Sequence, residues 1–272
     1  MSVNTDVDQL VESGQLAEAI LSLEATIRQR PGDFQLRVYL FQLLSVTGQW
    51  ARAAQLVTSL GSLNAEWLPT SLAYRGLVES ELVRASVFSG SLTPLILGEP
   101  EPWLANLIRA LALDERGEAR AADELRGQAL DDSPATPFKR NGDSRISLLD
   151  ADSRLGPVLE VVVDGKYYWV PFARLNEIEV LAPESMADNL WAQVRFIWSS
   201  GGESNGFIPM RYIGSELCDE DSFRRAKSTS FTETRSGVYH GLGQRLLLDG
   251  QSEIPLSQFG RAVFSEEIGG RQ

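Results

Sequence analysis

Four side chains offer the raw material for chemistry: Asp152, Glu160, Cys218 and His240. A cysteine nucleophile needs a base within hydrogen-bond reach and an acid to orient that base, and this chain has a single cysteine and a single histidine from which to build both. No local motif announces the arrangement. A G-x-S-x-G elbow is absent, and the glycines of HGLGQR lead into an apolar strand-like run, not into the helix that a phosphate cradle requires. Asp150, Asp152 and Arg154 stand together ahead of a strand, where such residues tie a connecting segment to a sheet. Two carboxylates without further placed ligands make weak evidence for a metal. The expectation is a protein with no catalytic residue, no metal and no cofactor. A last candidate is the aromatic run Tyr167, Tyr168 and Trp169, just after Asp164-Gly165. It is either an exposed ligand platform or part of a buried hairpin.

The elements that must position these residues are bounded by composition. A chain of 272 residues with 43% hydrophobic residues can bury real cores and is comfortable for two domains. A net charge of −12 argues against nucleic acid and anionic membranes as partners, since both require clustered cations. One cysteine excludes an internal disulfide framework, as expected in a reducing cytoplasm. The first residues lack a basic, then apolar, leader, and no apolar run approaches the roughly 20 residues of a spanning helix. The expected location is cytoplasmic.

The first half repeats. SGQLAEA, TGQWARA and RGEARAA place Gly14, Gly48 and Gly117 at separations of 34 and 69 residues, each with an alanine five positions later, Ala19, Ala53 and Ala122. Proline follows the glycine at seventeen in the first and third, Pro31 and Pro134. Glycine permits the reversal between paired helices, alanine their close approach, and proline ends the second helix. The spacing resembles the tetratricopeptide (TPR) repeat and predicts a solenoid of six or seven helices. The middle unit lacks the marks, though AYRGLVESELVRASVF still reads as helical, and LILGEPEP reads as a loop. The repeat register puts Gln35, Val38 and Gln42, with Leu104, Leu107 and Leu111, on a groove suited to an amphipathic helix. The alternative is that the chain's own second half covers these leucines.

From Asp131 to Arg145 the sequence is polar and without period, a linker signature. Beyond it the apolar period shortens to two. VLEVVVDGKYYWVPF predicts a hairpin closed by Asp164-Gly165, pairing Val162 with Tyr167, Val161 with Tyr168 and Glu160 with Trp169. Each ring except Trp169 then faces a valine, which favours a hairpin buried on both faces over an exposed platform. Further strands are expected in NEIEVLA, WAQVRFIWS, GFIPMRYI, GQRLLLDG and QSEIPLSQF, a short helix in DEDSFRRAK, and a frayed end in SEEIGGRQ. The expected fold is α+β in two domains. A TPR-like helical solenoid (1–136) and a linker (137–150) would precede a β-rich small barrel or rolled sheet (151–272).

The run DADSRLGPVLEVVVDGKYYWVPFARLNEIEV, followed by FIPMRYIGSE and GLGQRLLLDG, resembles the C-terminal part of the ImpE/TagJ family, accessory proteins of bacterial type VI secretion. Asp152, Arg154, Gly156, Pro157, Tyr168, Trp169, Pro171 and Phe172 fall in one ordered block of it, where they read as structural. YRGLVESELVRASVFSG extends the likeness into the helical half. The resemblance implies a cytoplasmic adaptor, not a catalyst. It would bind the N-terminal helix of the small contractile-sheath subunit, TssB, and link the sheath to the disassembly ATPase ClpV. A scaffold binding through its β domain and a hydrolase with an unrecognised site are the competing readings.

Overall fold

The computed structural model describes residues 5–235 and 237–264; the end SEEIGGRQ lies outside them. Seven helices come first: α1 (Thr5–Glu12), α2 (Leu16–Gln29), α3 (Phe34–Val46), α4 (Trp50–Leu63), α5 (Leu68–Phe88), α6 (Pro102–Glu115) and α7 (Ala119–Asp132). The turns α1–α2, α3–α4 and α6–α7 are built alike. Gly14, Gly48 and Gly117 take φ of 78°, 66° and 74°, and the next residue's N–H reaches back five residues: Gln15 to Leu10, Gln49 to Leu44, Glu118 to Leu113, at 2.8, 2.8 and 2.9 Å. This closure needs a left-handed residue, which explains the glycines. Ala19, Ala53 and Ala122 are fully buried where the paired helices meet. The unmarked middle unit is one long helix, α5.

The strands are β1 (Leu95–Ile96), β2 (Phe138–Arg140), β3 (Asp143–Arg145), β4 (Leu149–Asp150), β5 (Val158–Val163), β6 (Lys166–Pro171), β7 (Leu175–Val180), β8 (Trp191–Trp198) and β9 (Glu203–Pro209). After the short helix α8 (Asp221–Arg224) come β10 (Thr229–Arg235), β11 (Val238–Gly243), β12 (Leu246–Leu248), β13 (Glu253–Pro255) and β14 (Arg261–Phe264). Nine strands form one sheet in the order β1-β6-β5-β9-β8-β7-β14-β2-β3, antiparallel except for β1 beside β6. β10-β11 and β13-β12-β4 are separate small sheets. The architecture is α+β, but the expected barrel does not close. Its end strands β1 and β3 are two and three residues long, too short to carry the ladder on, and they do not pair with each other.

The stretch 137–150 holds β2, β3 and β4. Phe138 is buried, and the Arg140 guanidinium donates to the carbonyls of Phe259 and Gln258 at 2.7 and 2.6 Å. LILGEPEP contributes β1 to the sheet's edge.

Hairpin β5–β6 has the expected register, with Asp164 and Gly165 both at positive φ. Both its faces are buried. Val158, Val162, Tyr167 and Trp169 join one core with the inward leucines of α2 to α6, while Leu159, Val161 and Val170 join a second core inside the β half. The sheet is therefore the common wall of two cores. Helix α5 crosses the hairpin tip so closely that a Cβ on Gly76 would lie 2.8 Å from the Gly165 Cα.

Candidate functional site

Of the polar residues singled out in the sequence, Glu160 and Asp150 meet at the wall between the two cores. Glu160, in the middle of β5, is fully buried. Its carboxylate accepts from Arg84 of α5 twice, Nε at 2.6 Å and Nη2 at 3.1 Å, and also from Arg245 Nη2 and from the Tyr167 hydroxyl. Trp169 Nε1 donates to that hydroxyl at 2.7 Å. Arg84 Nη2 also donates to the Arg211 carbonyl at 2.8 Å, and Nη1 reaches Glu81 at 3.4 Å. Trp191 Nε1 donates to Glu81 at 2.8 Å. Arg245 Nε lies 3.3 Å from Asp150 Oδ2. Burial pushes Asp150 up to about 7 against the pull of Arg245, and pushes Arg245 down to about 10. Ions removed from water cost several kcal/mol each unless paired, so these pairings are obligatory once the chain is folded.

A second group holds the motif loop. Asp152 is buried and accepts from the Arg154 backbone N–H at 2.9 Å, from Arg154 Nε at 2.8 Å and from the Gly241 N–H at 2.9 Å. Burial alone would raise its pKa; the Arg154 charge and these donors outweigh burial and hold it below the ordinary value. The Gly156 carbonyl accepts from the Asp150 N–H, and the Pro157 carbonyl accepts from the Phe172 N–H at 3.0 Å. Tyr168 pairs with Leu95 of β1, Pro171 pairs with Val158, and Phe172 stacks on Phe264. All eight motif residues thus sit in or beside the hairpin, doing packing and hydrogen-bonding work.

The would-be nucleophile and base are not assembled into a relay. His240 lies in β11 with Nε2 buried and without a hydrogen bond, and burial, aided by Arg154, pushes it down to about 4. Cys218 is half-buried after a short turn. Among the described residues, no group of three or more His, Cys, Asp or Glu is placed to hold a metal ion, and no helix is long and apolar enough to cross a membrane.

The groove positions divide. Gln35 is exposed, and Val38 and Gln42 are half-buried. Leu104, Leu107 and Leu111 keep at most 3% of their surface and belong to the core shared with the sheet. These three leucines are thus buried within the chain and do not form an open groove. Sequence reasoning missed the residues that join the halves: Glu81 and Arg84 of α5, Arg211, Arg245 and Asp221. Asp221 accepts from the Leu16 N–H at 3.2 Å, capping α2 from 205 residues away, and the Arg211 guanidinium donates to the carbonyls of Val46 and Ser45 at the end of α3. The one legible signal was an acid inside the apolar run VLEVVV, which demands a buried cation.

Residues 142–263 match the family described as ImpE protein. Over 255 residues, 94% of this chain and 89% of the relative, the sequence is 38% identical to the type VI secretion system accessory component TagJ of Pseudomonas aeruginosa. The fold is also that of a Vibrio parahaemolyticus protein solved by X-ray crystallography, at a TM-score of 0.88 and 27% identity, covering 97% of this chain and 98% of that one.

Proposed function

Since this chain belongs to the ImpE/TagJ family, we propose that it is an accessory component of a bacterial type VI secretion system, acting in the cytoplasm as a non-catalytic adaptor. It binds the N-terminal helix of the small contractile-sheath subunit, of the TssB type, and links the sheath to the ClpV disassembly ATPase. The observation that carries this reading is the 38% identity to TagJ across nearly the whole chain. A binding role is further supported by how the ionisable residues are used. Glu160 and Asp152 are saturated by arginines and backbone donors, and His240 has no hydrogen bond through Nε2 with which to pass a proton. General acid–base catalysis needs a titrating group within reach of substrate, a role these residues are poorly placed to fill.

A capture assay tests the adaptor reading. The immobilised chain is expected to retain the purified small sheath subunit from the same organism, and to retain the ATPase more strongly when that subunit is present. No retention of either would overturn the reading.

A further inference from the structure

The array's inner face is filled by the chain's own sheet, so a partner helix needs another seat. One cleft, of about 300 Å³, opens between the last helix pair and the β half. Leu107 and Leu130 line one side, and Leu149, Pro157, Tyr239 and Leu248 line the other. Leu130 and Tyr239 keep 48% and 41% of their surface exposed and face each other's walls across the cleft mouth, so that the opening is apolar on both sides.

Around this apolar opening carboxylates outnumber cations, and the nearby Arg154 is paired with Asp152. The only cation lining it among the described residues, Arg126, is already paired with Asp114 and Asp123. Asp131 and Asp132 are exposed at the end of α7, directly after Leu130, and exposed Glu233 stands opposite Tyr239 in the β10–β11 ladder. Arg126 Nε, on one of the lining residues, is buried without a hydrogen bond. Apolar walls with an acidic rim, in a chain of net charge −12, complement an apolar stripe flanked by cations.

We infer that this cleft, between α6–α7 and the Asp150–Pro157 loop, is the docking site for a basic amphipathic helix of a partner protein. The inference rests on the adaptor reading above and gives it a location. The apolar stripe of the helix packs between Leu130 and Tyr239, and its Lys or Arg residues meet Asp131, Asp132 and Glu233.

The probe is a fluorescently labelled synthetic peptide of the small sheath subunit's N-terminal helix, titrated with the intact chain and followed by anisotropy. Leu130→Arg and Tyr239→Ala alter opposite walls at exposed positions; Leu63→Arg alters an exposed leucine on α4 that does not line the cleft. Circular dichroism checks that each variant is folded. Both cleft variants are expected to bind at least about tenfold more weakly, as for a central anchor, with Leu63→Arg unchanged. Wild-type affinity is expected to fall severalfold as salt rises from about 50 to about 300 mM. Cleft variants that bind as wild type does would overturn the location and leave the adaptor reading standing. Salt-insensitive binding would overturn the basic character of the helix. No binding by wild type would overturn the adaptor reading and this inference with it.

Discussion

Glu160 is held by two arginines and a tyrosine from three separate parts of the chain. Removing one member of a buried pair strands the others as uncompensated charges, which costs about 3–5 kcal/mol. Glu160→Gln is therefore expected to lower the urea-unfolding free energy by that amount, and a change below about 1 kcal/mol would contradict the network's role. His240 makes a second prediction. Burial lowers it to about 4 in the folded chain, against about 6.5 when unfolded. Between those values the unfolded chain binds a proton that the folded chain does not. The contribution of His240 to stability is thus fully present above pH 6.5 and lost as pH falls towards 4. With one histidine in the chain, its ring signals can be followed directly by NMR, and they should remain those of a neutral imidazole at about pH 5.5. A midpoint near 6.5 would contradict the burial. At this scale the sequence exposed only half of each pairing. An acid among valines announces that a cation is required, but no spacing rule points to Arg84, which lies 76 residues earlier on a helix.

At the scale of elements, the contact of α5 with the hairpin tip fixes how the helices meet the sheet. Gly76→Ala places a methyl against the Gly165 backbone, an overpacking that costs about 1–3 kcal/mol and outweighs the helix-propensity gain of roughly 1 kcal/mol. Gly127 on α7 has open space around it, so Gly127→Ala is expected to stabilise by about 0.5–1 kcal/mol. Parallel denaturant titrations of the two variants should show shifts of opposite sign. The three glycine turns and the Asp164-Gly165 hairpin were legible because each rests on local backbone geometry that only a few residue types supply. The same logic was available at Asn141-Gly142, both at positive φ between β2 and β3, where a polar surrounding disguised a second hairpin as a linker. Helix α5 was legible as a helix in AYRGLVESELVRASVF, but which of its faces turns inward was not. Its inward face carries Ser80, Glu81 and Arg84, so the apolar period that reveals a buried helix face is broken, in part by the two residues, Glu81 and Arg84, that bond it to the sheet.

At the scale of the molecule, helices and sheet share one core and a buried ionic junction. They are expected to unfold together, with the helical circular dichroism signal and the emission of the six tryptophans, Trp50, Trp67 and Trp103 in the helical half and Trp169, Trp191 and Trp198 in the sheet, changing over one coincident transition. Two separated transitions would mean independent halves.

The central claim, that the chain docks on the sheath through a helix of the small subunit, is most directly tested by calorimetric titration of the intact protein. The titrants are the full-length small sheath subunit and the same subunit lacking its N-terminal helix. Saturable binding of the first and none of the second is the predicted result; no binding of either, or equal binding of both, would contradict it.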